Sequence, residues 1–291
     1  MIREVTELNC KGSLEGARFE TFIQEPAIEL AVKKRPMIII CPGGAYAYTS
    51  PREAEPIAYS LMAAGYNCGI LYYSCAPAKY PTALLELATA VRMTRKNASK
   101  WQVDKNAILV MGFSAGGHLA ASYACYWNSP DIAKGLELKE SQEILRPNGQ
   151  ILGYPVISSG KYAHTGSIDN LCGDNKSLRK KMSLENAVNA GTPPAFIWHT
   201  YPDGTVPVEN SLLYTEALRS KGIMAELHIF SDGGHGLSLG NDLTLGRYGN
   251  ENVPLVTPWI DLLRSWLELH YPVTVKADLK GKEPWLTDRK K

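Results

Sequence analysis

The 291-residue sequence has no CxxC pair, no HExxH pair of histidines, no internal repeat and no low-complexity tract. Its six cysteines, Cys10, Cys41, Cys68, Cys75, Cys125 and Cys172, stand far apart, so neither a zinc site nor a redox pair is signalled. Several fall in apolar, strand-like runs, where a reduced thiol behaves as a small hydrophobe. No apolar run comes near the roughly 18 residues that a membrane span requires. A large excess of charge of either sign is missing too. The 31 basic and 29 acidic side chains leave a net +2 with no basic block, which argues against a phosphate-binding surface for nucleic acid. The opening residues Met1-Ile2-Arg3-Glu4-Val5 carry no apolar h-region, so a cytoplasmic protein without membrane or nucleic-acid partners is expected. Nothing in the histidine spacing asks for a metal, and no cofactor is expected.

What is present is a core-forming composition, 45% hydrophobic, with a repeating alternation of two patterns. Short apolar runs at 37–41, 68–73, 107–112, 151–157, 195–200 and 225–230 have strand length and are nearly continuous, as strands covered on both faces are. Between them lie stretches of helical period at about 52–65, 82–99, 115–127, 207–222 and 257–270. This order predicts an α/β fold: a mainly parallel, doubly wound sheet with helices on both faces, in one domain over 1–291. The alternation in Ala17-Arg18-Phe19-Glu20-Thr21-Phe22-Ile23 suggests half-exposed strands at an antiparallel edge. Residues 128–150 and 158–191 are polar and too long for ordinary connections, so both read as lid-like insertions over one end of the sheet. The stretch Val273 to Lys291, without periodicity, is expected on the surface.

Gly112-Phe113-Ser114-Ala115-Gly116 matches G-x-S-x-G. The pattern alone is weak, but here it follows a predicted strand and opens an Ala-rich helix, the strand–turn–helix setting of a nucleophile elbow. Small residues two before and two after the serine relieve crowding in a sharp turn that pushes its hydroxyl out of the sheet. A serine hydroxyl needs a base to take its proton and preorganised donors for the oxyanion formed on attack. The Gly-rich loop Pro42-Gly43-Gly44-Ala45-Tyr46 follows the first long strand, so the N–H of Ala115 and one N–H at Gly44 or Ala45 are the oxyanion-hole candidates. Six histidines compete as base: His118, His164, His199, His228, His235 and His270. His235 lies in a loop just past the last strand, where functional loops of such sheets gather, whereas His199 and His228 fall within strands and His270 ends a helix. His118, one helical turn beyond Ser114, reads as a buttress. For the acid, Asp203 lies just past the strand 195–200, and the chain order Ser114, Asp203, His235 is that of α/β-hydrolases. Asp232, three residues before His235, has little room to orient that ring and reads as a turn residue.

The chain resembles α/β-hydrolases of the hormone-sensitive-lipase-like and carbohydrate-esterase kind, nearest to bacterial acetylxylan and feruloyl esterases. The resemblance rests on PGGAY at 42–46, GFSAGGH at 112–118, YPVIS at 154–158, PPAFIWHTYPDGTVPVENS at 193–211 and ELHIFSDGGHG at 226–236, and it covers about residues 36 to 270. It implies Ser114 as nucleophile, Asp203 as acid and His235 as base of a serine carboxylic-ester hydrolase. The implied substrates are short-acyl esters such as acetyl groups on oligosaccharides, with feruloyl esterase and arylformamidase or amidase as alternatives. Two departures stand out: Cys41 replaces the His or Tyr usual before the glycine turn, and Ala45 replaces its third glycine. Alanine keeps the amide, but its methyl narrows the acyl side. Tyr46, Tyr48, Tyr154 and Tyr201 fall near the catalytic end; Tyr46, Tyr154 and Tyr201 are candidate platforms for a sugar ring.

Overall fold

The computed structural model describes residues 1–27, 29–247, 249 and 251–275. Among the described residues, nine strands form one sheet: β1 (Ile2–Glu7), β2 (Arg18–Ile23), β3 (Val32–Cys41), β4 (Asn67–Tyr72), β5 (Val103–Phe113), β6 (Gly149–Gly153), β7 (Ala195–Thr200), β8 (Ala225–Phe230) and β9 (Thr274–Val275). The helices are α1 (Glu55–Ala63), α2 (Thr82–Lys96), α3 (Ser114–Tyr126), α4 (Pro130–Gly135), α5 (Thr165–Cys172), α6 (Lys176–Lys181), α7 (Glu209–Ser220) and α8 (Trp259–His270). The strand order is β1-β2-β4-β3-β5-β6-β7-β8, with β9 attached to β3. The strands β4, β3, β5, β6, β7 and β8 run parallel, while β1, β2 and β9 pair antiparallel with their neighbours.

The continuous apolar runs make sense because every central strand is covered on both sides. Along β3, Met37, Ile39 and Cys41 enter one core with residues of α2, α3 and α7, while Ile38 and Ile40 enter a second core with residues of α1 and α8. Strand β5 divides in the same way, Ile108 and Val110 facing the first core and Leu109, Met111 and Phe113 the second. With period-two side chains buried on both faces from residue 37 to 41 and from 107 to 113, the charged and amide residues of these strands, Lys33, Lys34 and Arg35 in β3 and Asp104, Lys105 and Asn106 in β5, are confined to their N-terminal ends. This is the α/β-hydrolase fold, as the sequence predicted.

Three local expectations are corrected. β2 is an antiparallel neighbour of the parallel strands but is not half-exposed, because β1 takes the edge; Phe19 and Phe22 enter the two cores, and buried Glu20 is neutralised by Arg3 and Arg18. β6 stops at Gly153 rather than 157, since Tyr154 turns the chain at φ 36° and Val156 N–H then bonds the Ser114 carbonyl at 3.0 Å. Residues 128–150 form no lid. They connect the end of α3 to the start of β6, where Arg95 of α2 donates to the carbonyls of Ile144 (2.7 Å) and Arg146 (2.6 Å). Because β6 runs parallel to β5, its start lies at the opposite end of the sheet from Ser114. The insertion 158–191, carrying α5 and α6, does reach the Ser114 end. Of the tail expected on the surface, 276–291 lie outside the described residues.

Candidate active site

The turn between β5 and α3 holds Ser114 at φ 53°, a left-handed conformation that a non-glycine residue adopts only when its surroundings enforce it. The enforcement is steric. A Cβ at Gly112 would lie 2.0 Å from the Gly116 carbonyl oxygen, and one at Gly116 would lie 2.1 Å from that of Cys41. Gly112 is therefore required for the β5–α3 turn to close, and Gly116 for α3 to lie against the end of β3. Ser114 is left almost buried, with its Oγ turned to a cavity of about 240 Å³.

Two loops from distant parts of the chain meet that hydroxyl. Ser114 Oγ–H donates to His235 Nε2 at 2.8 Å, and His235 Nδ1–H donates to Asp203 Oδ2 at 2.7 Å. The carboxylate fixes the ring tautomer, because an acceptor at Nδ1 leaves the Nε2 lone pair facing the serine. Asp203 is fully enclosed and would be costly to ionise alone. Its Oδ1 accepts the N–H groups of Thr205 and Val206, both at 2.9 Å, and His199 Nε2 approaches Oδ2 at 3.3 Å. Burial opposes the charge, but these donors and His235 outweigh it and hold the carboxyl well below the usual range. Asp232, by contrast, is exposed and, among the described residues, accepts only the next residue's N–H, at 2.7 Å.

The Gly-rich loop after β3 adopts left-handed conformations at Gly44 (φ 127°), Ala45 (φ 56°) and Tyr46 (φ 56°). At Gly44 a side chain is excluded, since a Cβ would lie 2.2 Å from the Tyr48 carbonyl oxygen. Among the described residues, the N–H groups of Gly44 and Ala45 donate to no backbone carbonyl or side chain, and both residues line the cavity with Ser114. Ala115 stands in the first turn of α3, where N–H groups lack partners within the helix.

The tyrosine expectations are corrected here. Tyr46 is buried and donates its hydroxyl to His118 Nδ1 at 3.0 Å, while His118 Nε2–H donates to the Met182 carbonyl at 3.0 Å. Burial pushes the His118 pKa down to about 4, so the ring is a neutral strut between the Gly-rich loop and the insertion. Tyr154 is buried under His235, ring centroids 5.0 Å apart. Tyr201 is 70% exposed and outside the cavity lining. Only Tyr48, exposed and at the cavity wall, remains within reach of a ligand. Cys41 is fully buried and its thiol pKa is pushed up by burial, so it is an inert hydrophobe beneath the loop.

Sequence reasoning missed Glu53, which sits inside the stretch counted only as helical. Its carboxyl is buried beside the cavity, where Oε2 accepts Gly43 N–H at 2.7 Å and Oε1 accepts the Tyr154 hydroxyl at 2.6 Å; Tyr154 in turn accepts Ser238 N–H at 2.9 Å. Burial raises its pKa. This chain of bonds ties the Gly-rich loop to the His235 loop, and no local pattern signals it. Glu53→Ala leaves two buried donors without partners, each worth about 1–3 kcal/mol. It is expected to lower the unfolding free energy by roughly 2–6 kcal/mol in urea titration; a loss under about 1 kcal/mol would mean that water or a neighbour replaces the carboxyl. His199 was also passed over as a strand residue, and only the fold brings it to Asp203.

A family model, BD-FAE, matches residues 27–218. The chain belongs to the BD-FAE family. Among curated relatives, it is 38% identical over 215 residues to endo-1,4-beta-xylanase B of Butyrivibrio fibrisolvens, covering 72% of this chain and 33% of that protein. It is 30% identical over 240 residues to an acetylxylan esterase of Xylanibacter ruminicola, covering 78% of this chain and 47% of that one. The chain thus spans about a third to a half of the length of these relatives. The crystal structure of an acetyl ester-xyloside bifunctional hydrolase from Caldicellulosiruptor lactoaceticus superposes with a TM-score of 0.77 at 37% identity, covering 89% of each chain. Among the described residues, no helix of this BD-FAE member is long and apolar enough to cross a membrane.

Proposed function

We propose that this BD-FAE member is a carboxylic-ester hydrolase of one α/β-hydrolase domain, which removes short acyl groups, acetyl above all, from oligosaccharides through an acyl-enzyme on Ser114. The observation that carries the reading is the unbroken sequence of bonds Ser114–His235–Asp203, at 2.8 and 2.7 Å, beside two unpaired loop amides. Ser114 Oγ attacks the ester carbonyl carbon as His235 Nε2 takes its proton, and Asp203 stabilises the imidazolium. The carbonyl oxygen becomes an oxyanion held by the N–H of Ala115 and that of Gly44 or Ala45. The C–O bond to the alcohol then breaks, and the Nε2 proton passes to the leaving oxygen. Water repeats the sequence on the acyl-enzyme, releasing the acid and restoring the serine.

The relatives named as acetylxylan esterase and acetyl ester-xyloside hydrolase support acetyl and sugar as the two halves of the substrate. The cavity, about 240 Å³, is smaller than the roughly 300–1,000 Å³ of drug-sized ligand sites, and Ala45 is one of its lining residues. A short acyl group therefore fits best. The expected result for kcat/KM on p-nitrophenyl acetate, butyrate and octanoate is a fall of roughly tenfold or more from acetate to butyrate, the scale of one or two crowded methylenes. Octanoate turning over as well as acetate would remove the steric argument. Run beside these, acetylated xylo-oligosaccharides, methyl ferulate and formyl-kynurenine separate the acetyl-sugar reading from feruloyl esterase and arylformamidase.

A further inference from the structure

His164 belongs to the insertion 158–191, yet its ring lines the same cavity as Ser114 and His235. Two features hold it there. As N-cap of α5, its Nδ1 accepts the Ser167 backbone N–H at 3.3 Å and contacts Ser167 Oγ at 2.8 Å. Two turns along the same helix, Asn170 Nδ2–H donates to the Ala45 carbonyl at 2.9 Å, so α5 is anchored to the Gly-rich loop itself. The segment leading into α5 is held as firmly, since Asn210 Oδ1 accepts the N–H groups of Ile157 and Ser158, both at 2.9 Å.

The cap decides the tautomer. A backbone N–H can only donate, so Nδ1 must present its lone pair, and the proton of the neutral ring sits on Nε2. Among the described residues, Nε2 has no protein partner and is not enclosed in the core. Burial, together with the neighbouring His235, keeps the ring's pKa below its ordinary value, so it is neutral near pH 7. A fixed N–H donor is therefore held at the wall of the cavity. His235 must hand its proton to the leaving oxygen, which brings the alcohol half of the ester beside His235, in the same cavity that His164 lines and close enough to His164 for the two rings to interact electrostatically.

We infer that His164 is a specificity-determining residue, whose Nε2–H donates to a hydroxyl oxygen of the alcohol half of the substrate and so selects polyhydroxylated, sugar-like alcohols. The inference rests on the acetyl-sugar reading above. A site built to bond a hydroxyl discriminates against an analogue lacking it, because the donor is then left unpaired. The geometry gives a further reason to expect the signal in the substrate comparison and not in overall stability: asparagine at an N-cap accepts the same N–H through Oδ1 but has no group where Nε2 lies.

The test compares a methyl xyloside monoacetate with its analogue in which the neighbouring hydroxyl is replaced by hydrogen, in the wild type and in His164→Asn, with p-nitrophenyl acetate alongside. The wild type is expected to prefer the hydroxylated ester by about tenfold in kcat/KM, the scale of one ordinary hydrogen bond. His164→Asn is expected to lose that preference while melting within about 4 °C of the wild type. A preference that persists in His164→Asn, or equal proportional losses on all three esters, overturns the inference and leaves the ester-hydrolase reading intact. If the wild type cleaves p-nitrophenyl acetate but neither xyloside, the acetyl-sugar reading itself fails, and the inference with it.

Discussion

Ser114→Ala is expected to lower kcat on a short-acyl ester by at least about 10⁴-fold, with the fold retained. Removing the nucleophile leaves only the oxyanion donors and substrate binding, which act weakly without an attacking group. Retention of the fold follows from the contacts of this turn. The backbone bond from Val156 N–H to the Ser114 carbonyl, 3.0 Å, does not involve the hydroxyl, and the tight crossing is set by Gly112 and Gly116. Alanine at φ 53° carries the same Cβ strain as serine. The variant should therefore also cease to react with a fluorophosphonate probe while giving an unchanged denaturation midpoint. A loss of less than about tenfold in kcat would assign the attack to another group.

Asp203→Asn is expected to cost nearly as much, on the order of 10⁴-fold in kcat, the scale seen when a triad histidine is held in the wrong tautomer. The neighbours of Asp203 make the outcome specific. The N–H groups of Thr205 and Val206 both point at Oδ1, at 2.9 Å, so an asparagine must keep its carbonyl oxygen there. Its NH₂ then faces His235 Nδ1, which has to accept, and the ring proton moves to Nε2, where it confronts Ser114 Oγ–H. Neither group can take the serine proton in that arrangement. Asp232→Asn, whose side chain is exposed and bonded only to Gly233 N–H, is expected to change kcat less than about threefold, the range of a surface change. Comparable losses in the two variants, measured on p-nitrophenyl acetate, would transfer the acid's role to Asp232.

The sequence by itself determined the parts of this protein that depend on local periodicity and on chain order. Apolar runs of strand length alternating with helical stretches specify strands buried on both faces, because no other arrangement covers both rows of side chains. The elbow was legible because glycines two before and two after a serine, directly after a strand and opening a helix, are a local pattern, although the neighbour that crowds Gly116 is Cys41 of β3. Asp203 and His235 were legible because strand ends in a parallel sheet converge on one edge, so two loops following two strands must meet.

Only the tertiary structure decided which way side chains in loops face and which end of the sheet an insertion occupies. Tyr46 and Tyr154 looked like Tyr48 in sequence, since a tyrosine suits a buried ring with one bonded hydroxyl as well as an open wall. Their fate was set by His118 and Glu53, the second about a hundred residues from Tyr154 in the chain. The two polar insertions were indistinguishable by composition. One returns to the start of β6 and packs on α2, and the other brings His164 to the cavity. Contacts of this kind join residues with no sequence relationship, and their energies come from burial and bond geometry, which exist only once the chain has closed around them.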